Sequence, residues 1–258
     1  MPNHGADHCV QKNMEEEDIK YFNHQKENRN PVFLERFPDV DFKDKTVLDL
    51  GCGHGALSID IAQKGVKEII GIDINCELIT FANEYLQKNF NELKNTVSFN
   101  CTSINELPDD HFDIIISKAS FEHFIDLELL MKDIRNKLRI GGKLITGFGP
   151  LYNSPWGDHN RLKHIFPWSH ITKEKKLIRK LNTKHNKNVN TIHDLGLNGY
   201  SLKKYIETFN DTEGMSVTNF RTNVSDKFSM KLFNIFTYIP FLKEYFTYNI
   251  YCILERKY

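Results

Sequence analysis

Three glycines spaced two residues apart follow a short apolar run that carries one carboxylate. The stretch reads VLDLGCGHGALSIDIA, and Asp49 stands two residues before Gly51. Glycine leaves backbone N–H groups open to a ligand and tolerates a positive φ. Gly51, Gly53 and Ala56 also satisfy the dinucleotide fingerprint, and Asp73 follows at its expected distance. The pattern predicts a nucleotide-like ligand at the end of a strand.

Asp49 bears on the charge of that ligand. A carboxylate at this place repels a pyrophosphate by about 1 to 4 kcal/mol, for unit charges roughly 4 Å apart at intermediate dielectric. The same carboxylate attracts a ligand that carries an ammonium and a sulfonium. The sequence therefore favours a cationic amino-acid nucleoside over a dinucleotide such as NAD.

Short β-branched runs alternate with helical patterns from residue 46 to 148, which is typical of βαβ units in a parallel sheet. The predicted strands are TVLDL, EIIGID, VSFNC, FDIIIS and GGKLITGF, and the predicted helices between them are ALSIDIAQKG, ELITFANEYLQKNF and LELLMKDIRNKL. After Gly149 the alternation stops. YSLKKYIETF then predicts a helix, and MSVTNFRTNV and YNIYCILERK predict the last two strands.

We expect one α/β domain with an insertion after the fifth strand. Its predicted parts are an N-terminal helical cap (1–45), the cofactor-binding half (46–149), a substrate-side insertion (150–199) and a C-terminal helix with the last strands of the same sheet (200–258).

Composition excludes several classes of protein. Lys plus Arg and Asp plus Glu both number 34, so the overall charge favours neither nucleic acid nor an anionic membrane as partner. The chain has no uninterrupted apolar run of about 18 residues, so we expect no membrane-spanning helix. Its first residues are polar and acidic, which is unlike a signal or transit peptide. Five scattered cysteines without a C-x-x-C pair predict a reduced, cytoplasmic protein, with Cys52 and Cys101 as small buried residues.

Four stretches together resemble the successive motifs of the class I S-adenosylmethionine-dependent methyltransferases. They are VLDLGCGHG, IIGIDIN, SINELPDDHFDIIISKASFEHF and LRIGGKLITGFGP, and they cover about 100 residues. The resemblance implies a Rossmann-like α/β fold, with a seven-stranded, mostly parallel sheet whose last strand is antiparallel and helices on both faces. It also implies S-adenosyl-L-methionine as cofactor and S-adenosyl-L-homocysteine as product.

The resemblance assigns roles to the residues at the ends of the first two strands. Gly51, Gly53 and Gly55 are expected to line the methionine portion of the cofactor, and Asp49 to support the loop and the amino group. Asp73 is expected to accept hydrogen bonds from both ribose hydroxyls. The alternative for Asp73 is a helix N-cap.

Further cofactor contacts are implied at the ends of later strands. Ile74 is expected to pack on the adenine, and Ser103, with Ile104 beside it, to lie near the adenine amino group. Family members often carry an aspartate where this chain has Ser103, so the contact here is neutral and shorter in reach. Ser117 and Lys118 are expected to meet the methionine amino group through their backbone.

The candidate catalytic residues are two histidines. Methyl transfer from a sulfonium needs alignment and exclusion of water, and a base when the acceptor carries a proton. We predict His159, and secondarily His123, as base or substrate anchor, with Tyr152, Trp156 and Trp168 as the acceptor wall. The alternative is that both histidines satisfy loop hydrogen bonds.

We predict no metal site from the sequence. Asp158, His159, His164 and His170 are possible ligands, but their spacing matches no standard helical pair.

Two segments have open roles. Between residues 161 and 188, nine Lys and Arg face one acid, Glu174, which indicates a solvated helix and loop, an acidic substrate or an anionic surface. FSMKLFNIFTYIPFLKEYF is expected to pack against the sheet or between protomers, with peripheral membrane contact or a hydrophobic acceptor as alternatives.

The predicted function is methyl transfer to an oxygen or nitrogen of a small-molecule acceptor. The alternatives are a methyltransferase for nucleic acid or protein, a non-catalytic nucleotide-binding module, and an NAD-dependent Rossmann protein. Nucleic acid is disfavoured because the fourth strand leads into SKAS, without an Asn-Pro-Pro-aromatic motif, and the chain has no Pro-Cys nucleophile. The sequence leaves the oligomeric state open.

Overall fold

A computed structural model describes residues 16–224 and 228–258, without the side chains of 228–230 and 232. The first fifteen residues of the predicted cap, including Cys9, lie outside this range. The chain divides into two compact units, Met1–Ile116 and Ser117–Tyr258.

Seven strands form one sheet in the order β3-β2-β1-β4-β5-β7-β6. Strand β1 is parallel to β2 and β4, and β2 is parallel to β3, whereas β7 is antiparallel to β5 and β6. This confirms the predicted fold class. The strands are β1 (Thr46–Leu50), β2 (Glu68–Asp73), β3 (Val97–Cys101), β4 (Phe112–Lys118), β5 (Leu138–Phe148), β6 (Met215–Thr222) and β7 (Ile250–Arg256).

The helices agree with the predicted ones and add short helices in the N-terminal segment and the insertion. In the first unit they are α1 (16–24), followed by a π-helical turn (Gln25–Arg29), α2 (Asn30–Leu34), α3 (Ala56–Ala62) and α4 (Cys76–Asn89). In the second unit they are α5 (Leu127–Lys137), α6 (Ser169–Thr172), α7 (Glu174–His185), α8 (Leu202–Asp211), α9 (Phe228–Thr237) and α10 (Pro240–Phe246).

In the first unit, every residue of β1 is buried, as expected for a central parallel strand covered on both faces. Asp49 is therefore held at a fixed place just before the glycines. Helix α4 begins after Asn75, whose side chain accepts the backbone N–H groups of Glu77 and Leu78. These elements place the ends of β1 and β2 and the start of α3 in one unit.

In the second unit, an aromatic cluster forms the core. Phe121 stacks on Phe148 with ring centroids 5.4 Å apart, and Tyr205 and Phe209 of α8 pack against Phe148. Phe121 lies three residues after the end of β4, and Phe148 is the last residue of β5. The aromatic core therefore anchors the loops that leave both strands.

A disulfide joins Cys76, the first residue of α4, to Cys101, the last residue of β3. The prediction of a fully reduced chain is therefore wrong for this pair, and Cys101 is exposed, not a buried filler. Sequence reasoning failed because the two cysteines are 25 residues apart and meet only when α4 and β3 pack together. Cys52 is partly buried and Cys252 buried, and both carry free thiols.

Within residues 16–224 and 228–258, no helix is both long enough and apolar enough to cross a bilayer.

Candidate functional site

The glycine loop joins β1 to α3 in the first unit. The N–H groups of Gly51 and Cys52 both donate to the carbonyl oxygen of Ile72, at 2.9 and 3.0 Å, which ties the loop to β2. Gly55, at φ 80°, leaves no room for a side chain, because a Cβ there would lie 2.5 Å from Phe99 Cζ. At Gly53, also with positive φ, an added Cβ would meet no atom within 4 Å. The backbone at Gly53 therefore faces open space, where a ligand can approach it.

Asp73 closes the other side of this loop. Its Oδ2 accepts the N–H of Gly53 at 3.0 Å, and its Oδ1 accepts the N–H of Asn75 at 2.9 Å. Each carboxylate oxygen keeps a further lone pair for a hydroxyl group. The N-cap alternative for Asp73 is wrong, because Asn75 caps α4.

Asp49 lies beneath the loop with 1% of its surface exposed. The hydroxyl of Ser58 donates to its Oδ2 at 2.7 Å, so the first turn of α3 orients the carboxylate. Ile74, in contrast, is 83% exposed beside Asp73. An exposed apolar side chain beside a hydrogen-bonded carboxylate can pack against the face of an aromatic ring of a ligand.

The remaining predicted cofactor contacts are Ser103, Ile104, Ser117 and Lys118. Ser103 directly precedes a short 3₁₀ turn, Ile104–Glu106, and its hydroxyl donates to Asn105 Oδ1. Ile104 is buried, so its side chain serves packing. Ser117 and Lys118 are the last residues of β4 and the first of the second unit, and Ser117 is fully buried.

The residues of the first unit fit S-adenosylmethionine. Gly53 offers a bare backbone in open space, Asp73 offers unused carboxylate lone pairs, and Ile74 offers an exposed apolar surface. A hydroxyl pair, an amino-acid end and an aromatic base are the groups that such a set recognises.

His54 has a role that sequence reasoning missed. Its Nε2 lies 2.9 Å from Asp18 Oδ1, and its ring centroid lies 4.7 Å from that of Tyr21. Both partners belong to α1, so His54 holds the N-terminal helix against the glycine loop. Nothing in the spacing of residues 18, 21 and 54 announces this contact.

In the second unit, Glu122, His123 and His159 form a cluster. One carboxylate oxygen of Glu122 and one ring nitrogen of each histidine lie within 4.8 Å of one another. Nδ1 of His123 donates to the carbonyl oxygen of Gly196, and Nε2 of His159 donates to that of Pro150 at 3.0 Å. Because carbonyl oxygens only accept, Nε2 of His123 and Nδ1 of His159 carry lone pairs in the neutral rings. The cluster thus presents two basic nitrogens and a carboxyl group.

Burial tunes the proton affinity of this cluster. Glu122 is 4% exposed, and burial raises its pKa to about 7, although the backbone N–H groups of Glu122 and Gly149 act in the opposite direction. Its Oε2 has no hydrogen-bond partner among the described residues. Burial, and to a smaller degree His123, lowers the pKa of His159, so the ring is neutral at neutral pH. Both groups are poised to accept a proton.

The structure brings together the two predicted histidines and adds Glu122, which sequence reasoning did not single out. The available signal was its place beside His123 in FEHF. The alternative that the histidines satisfy loop hydrogen bonds is correct for one nitrogen of each ring and leaves the other nitrogen available.

The three aromatic residues predicted as an acceptor wall have different neighbours. Tyr152 donates its hydroxyl to Glu174 Oε2 at 2.5 Å, and burial raises its pKa far above the usual range. Trp168 packs against Phe246 at 5.2 Å, and Trp156 is 47% exposed. Their shared role as a wall stays a prediction.

The basic segment contains α7, an amphipathic helix. Its apolar face, Ile178 and Leu181, packs with Leu162 and Val189, and its lysines face solvent. This agrees with a solvated helix, and the two anion-binding alternatives stay predictions.

Helices α9 and α10 pack on each other. Phe236 stacks on Phe246 at 4.5 Å, while Tyr238 and Phe241 are 87% and 74% exposed. The membrane, acceptor and protomer alternatives for these exposed aromatics stay predictions.

A family described as a methyltransferase domain matches residues 41–210, which is more than half of the chain. Among curated proteins, the chain is 36% identical over 106 residues to phosphoethanolamine N-methyltransferase 3 of Arabidopsis thaliana, covering 40% of this chain and 21% of that protein. It is 32% identical over 118 residues to a ubiquinone biosynthesis O-methyltransferase of Coxiella burnetii, covering 45% of this chain and 48% of that protein. The matched region thus spans less than half the length of either relative.

Among solved structures, the fold is similar to that of geranyl diphosphate C-methyltransferase from Streptomyces coelicolor A3(2), solved in complex with S-adenosyl-L-homocysteine. The TM-score is 0.56 at 13% identity, and the alignment covers 94% of this chain and 83% of the other. At this identity the similarity supports the fold.

Proposed function

The chain belongs to the class I S-adenosylmethionine-dependent methyltransferase superfamily, with S-adenosylmethionine as its cofactor, and we propose that it transfers the methyl group to an oxygen or nitrogen of a small-molecule acceptor. The observation that carries this proposal is the cluster of Glu122, His123 and His159, in which burial keeps the His159 ring neutral and raises the pKa of Glu122 to about 7. An O–H or N–H acceptor must lose a proton in the course of methylation.

We assign the cofactor contacts to the strand ends of the first unit. The backbone of Gly51, Gly53 and Gly55 lines the methionine portion, and Asp49 supports the loop and attracts the positive charges of the ligand. Asp73 accepts the ribose hydroxyls with the lone pairs that Gly53 and Asn75 leave open. The bound cofactor supplies a methyl group already activated on a sulfonium sulfur.

The adenine contacts follow from the same placement. Ile74 packs on the ring because its side chain is already in solvent beside Asp73. Ser103 and Ile104 lie near the adenine through their backbone, since the Ser103 hydroxyl donates to Asn105 and the Ile104 side chain is buried. For Ser117 and Lys118, the predicted backbone contact with the methionine amino group stays a prediction.

In the second unit, His159 is the proposed base and His123 the second candidate or substrate anchor. The Pro150 carbonyl fixes the proton on Nε2 of His159, so Nδ1 takes up the proton of the acceptor. Glu122, with its pKa near 7, is ionised in about half of the molecules at neutral pH and stabilises the imidazolium that forms. Tyr152, Trp156 and Trp168 are retained as candidates for acceptor contacts.

The acceptor class is proposed from the chemistry of the cluster and from the relatives. A neutral imidazole suits acceptors that must lose a proton, such as a phenol or a protonated amine. The relatives include an O-methyltransferase of ubiquinone biosynthesis and a phosphoethanolamine N-methyltransferase. A phenol and phosphoethanolamine are therefore the first acceptors to test.

The division into a cap (1–45), a cofactor half (46–149), an insertion (150–199) and a C-terminal part (200–258) is retained as a proposal. Cytoplasmic location also stays a prediction, and the Cys76–Cys101 disulfide speaks against it, because disulfides are rare in reducing compartments.

The test measures S-adenosylhomocysteine formation with a panel of phenols, catechols, primary amines and phosphoethanolamine, alongside calorimetric binding of S-adenosylmethionine and NADH. We expect binding of S-adenosylmethionine, no binding of NADH, and turnover with at least one panel member that rises with pH through about 7. No turnover with any panel member, in a chain that binds S-adenosylmethionine, would overturn the proposed acceptor class. Binding of NADH alone would overturn the cofactor assignment.

A further inference from the structure

Asp158, His164 and His170 form a second cluster in the insertion. One carboxylate oxygen of Asp158 and one ring nitrogen of each histidine lie within 4.8 Å of one another. Asp158 and His170 are 0% exposed, and the rings of His164 and His170 stack at 5.0 Å. The three residues belong to one loop region of the second unit, and none of them is part of the cluster of Glu122, His123 and His159.

Backbone carbonyl groups fix the proton positions of both rings. Nδ1 of His164 donates to the carbonyl oxygen of Phe166 at 2.8 Å, and Nε2 of His170 donates to that of Tyr152 at 2.6 Å. A histidine that ligates a metal typically donates its other ring N–H to such a carbonyl group. In the neutral rings, Nε2 of His164 and Nδ1 of His170 are left with lone pairs.

Those two lone pairs lack a suitable partner. Nε2 of His164 lies 2.9 Å from Asp158 Oδ1, which is itself an acceptor, and the fully buried Nδ1 of His170 has no hydrogen-bond partner among the described residues. A proton on His164 would satisfy its contact with Asp158 but would leave His170 unpaired. A cation among the three groups satisfies all of them at once.

We propose that Asp158, His164 and His170 bind one divalent transition-metal ion, with Zn²⁺ the ion that best suits two imidazoles and a carboxylate. The donor set matches the three protein ligands of mononuclear zinc sites, with a fourth position for water. Tetrahedral bonds of about 2.1 Å separate ligand atoms by roughly 3.4 Å, so the distances within the cluster need to change by about 1.4 Å at most. Mg²⁺ and Ca²⁺ are disfavoured because they prefer all-oxygen sites.

The local backbone supports this arrangement. A Cβ at Gly157 would lie 2.1 Å from the Leu151 oxygen and 2.2 Å from the Tyr152 oxygen. Glycine therefore lets the backbone before Asp158 contact the backbone of Tyr152, whose carbonyl group accepts the N–H of His170. The N–H of Leu162 donates to Asp158 Oδ2 at 2.9 Å and orients the carboxylate. A bound ion would cross-link three turns of the insertion and would stabilise the loop that carries His159.

The test uses the full chain, stripped with a chelator and dialysed against ZnCl₂, CoCl₂ or MgCl₂ alone. We expect one equivalent of Zn²⁺ by elemental analysis, a raised Tm with Zn²⁺ but not with Mg²⁺, and visible d–d bands with Co²⁺. His170→Gln should lose the ion and the rise in Tm, whereas His185→Gln, at the exposed end of α7, should retain both.

Two further variants keep the test decisive. Asp158→Cys replaces the carboxylate with a thiolate, whose shorter side chain is partly offset by the longer metal–sulfur bond of about 2.3 Å, so it should retain Co²⁺ and add a sulfur-to-metal charge-transfer band. His159→Asn should leave the stoichiometry unchanged. The proposal is overturned if the wild type takes up no Zn²⁺, if His170→Gln retains it, or if His159→Asn loses it while His170→Gln does not, since that last result places the ion at the other cluster.

Discussion

The glycine loop of the first unit and the insertion of the second unit hold functional groups in different ways. In the glycine loop, Asp49 and Asp73 stand at or near the ends of parallel strands. The backbone N–H groups of Gly53 and Asn75 fix Asp73, and the hydroxyl of Ser58 fixes Asp49. In the insertion, His159 is held by the carbonyl group of Pro150, and its partner His123 by that of Gly196, which is 73 residues from it. Strand ends therefore position the first site, whereas carbonyl groups of loops position the second, one of them distant in the chain.

The two regions also differ in how they accommodate a positive φ. Gly51, Gly53 and Gly55 adopt it without steric penalty. In the insertion, four residues that are not glycine adopt it within ten positions: His159, Asn160, Lys163 and Trp168. Each such residue costs on the order of 1 kcal/mol, which the packing around the loop must offset. Strain of this kind is concentrated where the proposed base lies.

The largest effect is expected at the proposed base. His159→Asn should lower kcat by about 10²- to 10⁴-fold and leave the Kd for S-adenosylmethionine unchanged, because the proton acceptor is lost while the cofactor site lies on other residues. Asparagine is chosen because it tolerates the φ of 51° at this position. Steady-state kinetics and calorimetry check the two quantities. His185→Asn is the control, and an unchanged kcat would exclude His159 as base.

The next effect concerns cofactor affinity. Asp73→Ala should raise the Kd for S-adenosylmethionine by about 10²- to 10³-fold, since it removes two hydrogen bonds to the ribose, each near the lower end of the range of about 1.5 to 3 kcal/mol for charge-assisted bonds. It also releases the N–H of Gly53. Asp113→Ala is the matched control, because Asp113 likewise accepts a backbone N–H, that of Thr46 at 2.8 Å, but at the start of β1. Equal losses in both variants would mean that Asp73 acts through folding alone.

The disulfide of the first unit should contribute to stability. Cys101→Ser should lower the free energy of unfolding by about 3 to 4 kcal/mol, because the unfolded chain loses a closed loop with a sequence separation of 25. Urea unfolding under oxidising conditions measures this. Reduced wild type should unfold like the variant, and coincidence of the oxidised wild type with both would show that the bond does not form in solution.

The buried carboxyl group of the second unit should link stability to pH. The pKa of Glu122 is about 7 in the folded chain against 4.5 for the free group, so the folded state binds more protons between these values and loses stability as pH rises through them. Glu122→Gln should therefore be more stable than wild type by about 3 kcal/mol at pH 8 and by under about 1 kcal/mol at pH 5. Urea unfolding at both pH values checks this. A pH-independent difference would contradict the burial argument.

Sequence patterns predicted the first region closely. β-branched runs and helical periodicity located the strands and helices of the sheet, and glycine spacing located the loop. The errors came from pairings between distant residues: Cys76 with Cys101, and His54 with Asp18. A one-dimensional pattern carries no signal for either contact, because each depends on how two elements pack.

In the second region, the sequence located the histidines but not their grouping. His159 joins Glu122 and His123, whereas its neighbour Asp158 joins His164 and His170. Adjacent residues in a turn point in different directions, so the spacing of residues 158 to 170 could not separate the two clusters.

By itself, the sequence determined the seven-stranded sheet, the glycine loop and the type of cofactor, because hydrophobic periodicity and glycine placement are local and parallel strands end at one edge. The tertiary structure alone decided which side chains share a proton-accepting cluster, which share a set of metal-binding atoms, and which cysteines join. Those groupings depend on loop paths and burial, which set both the distances between side chains and their pKa values.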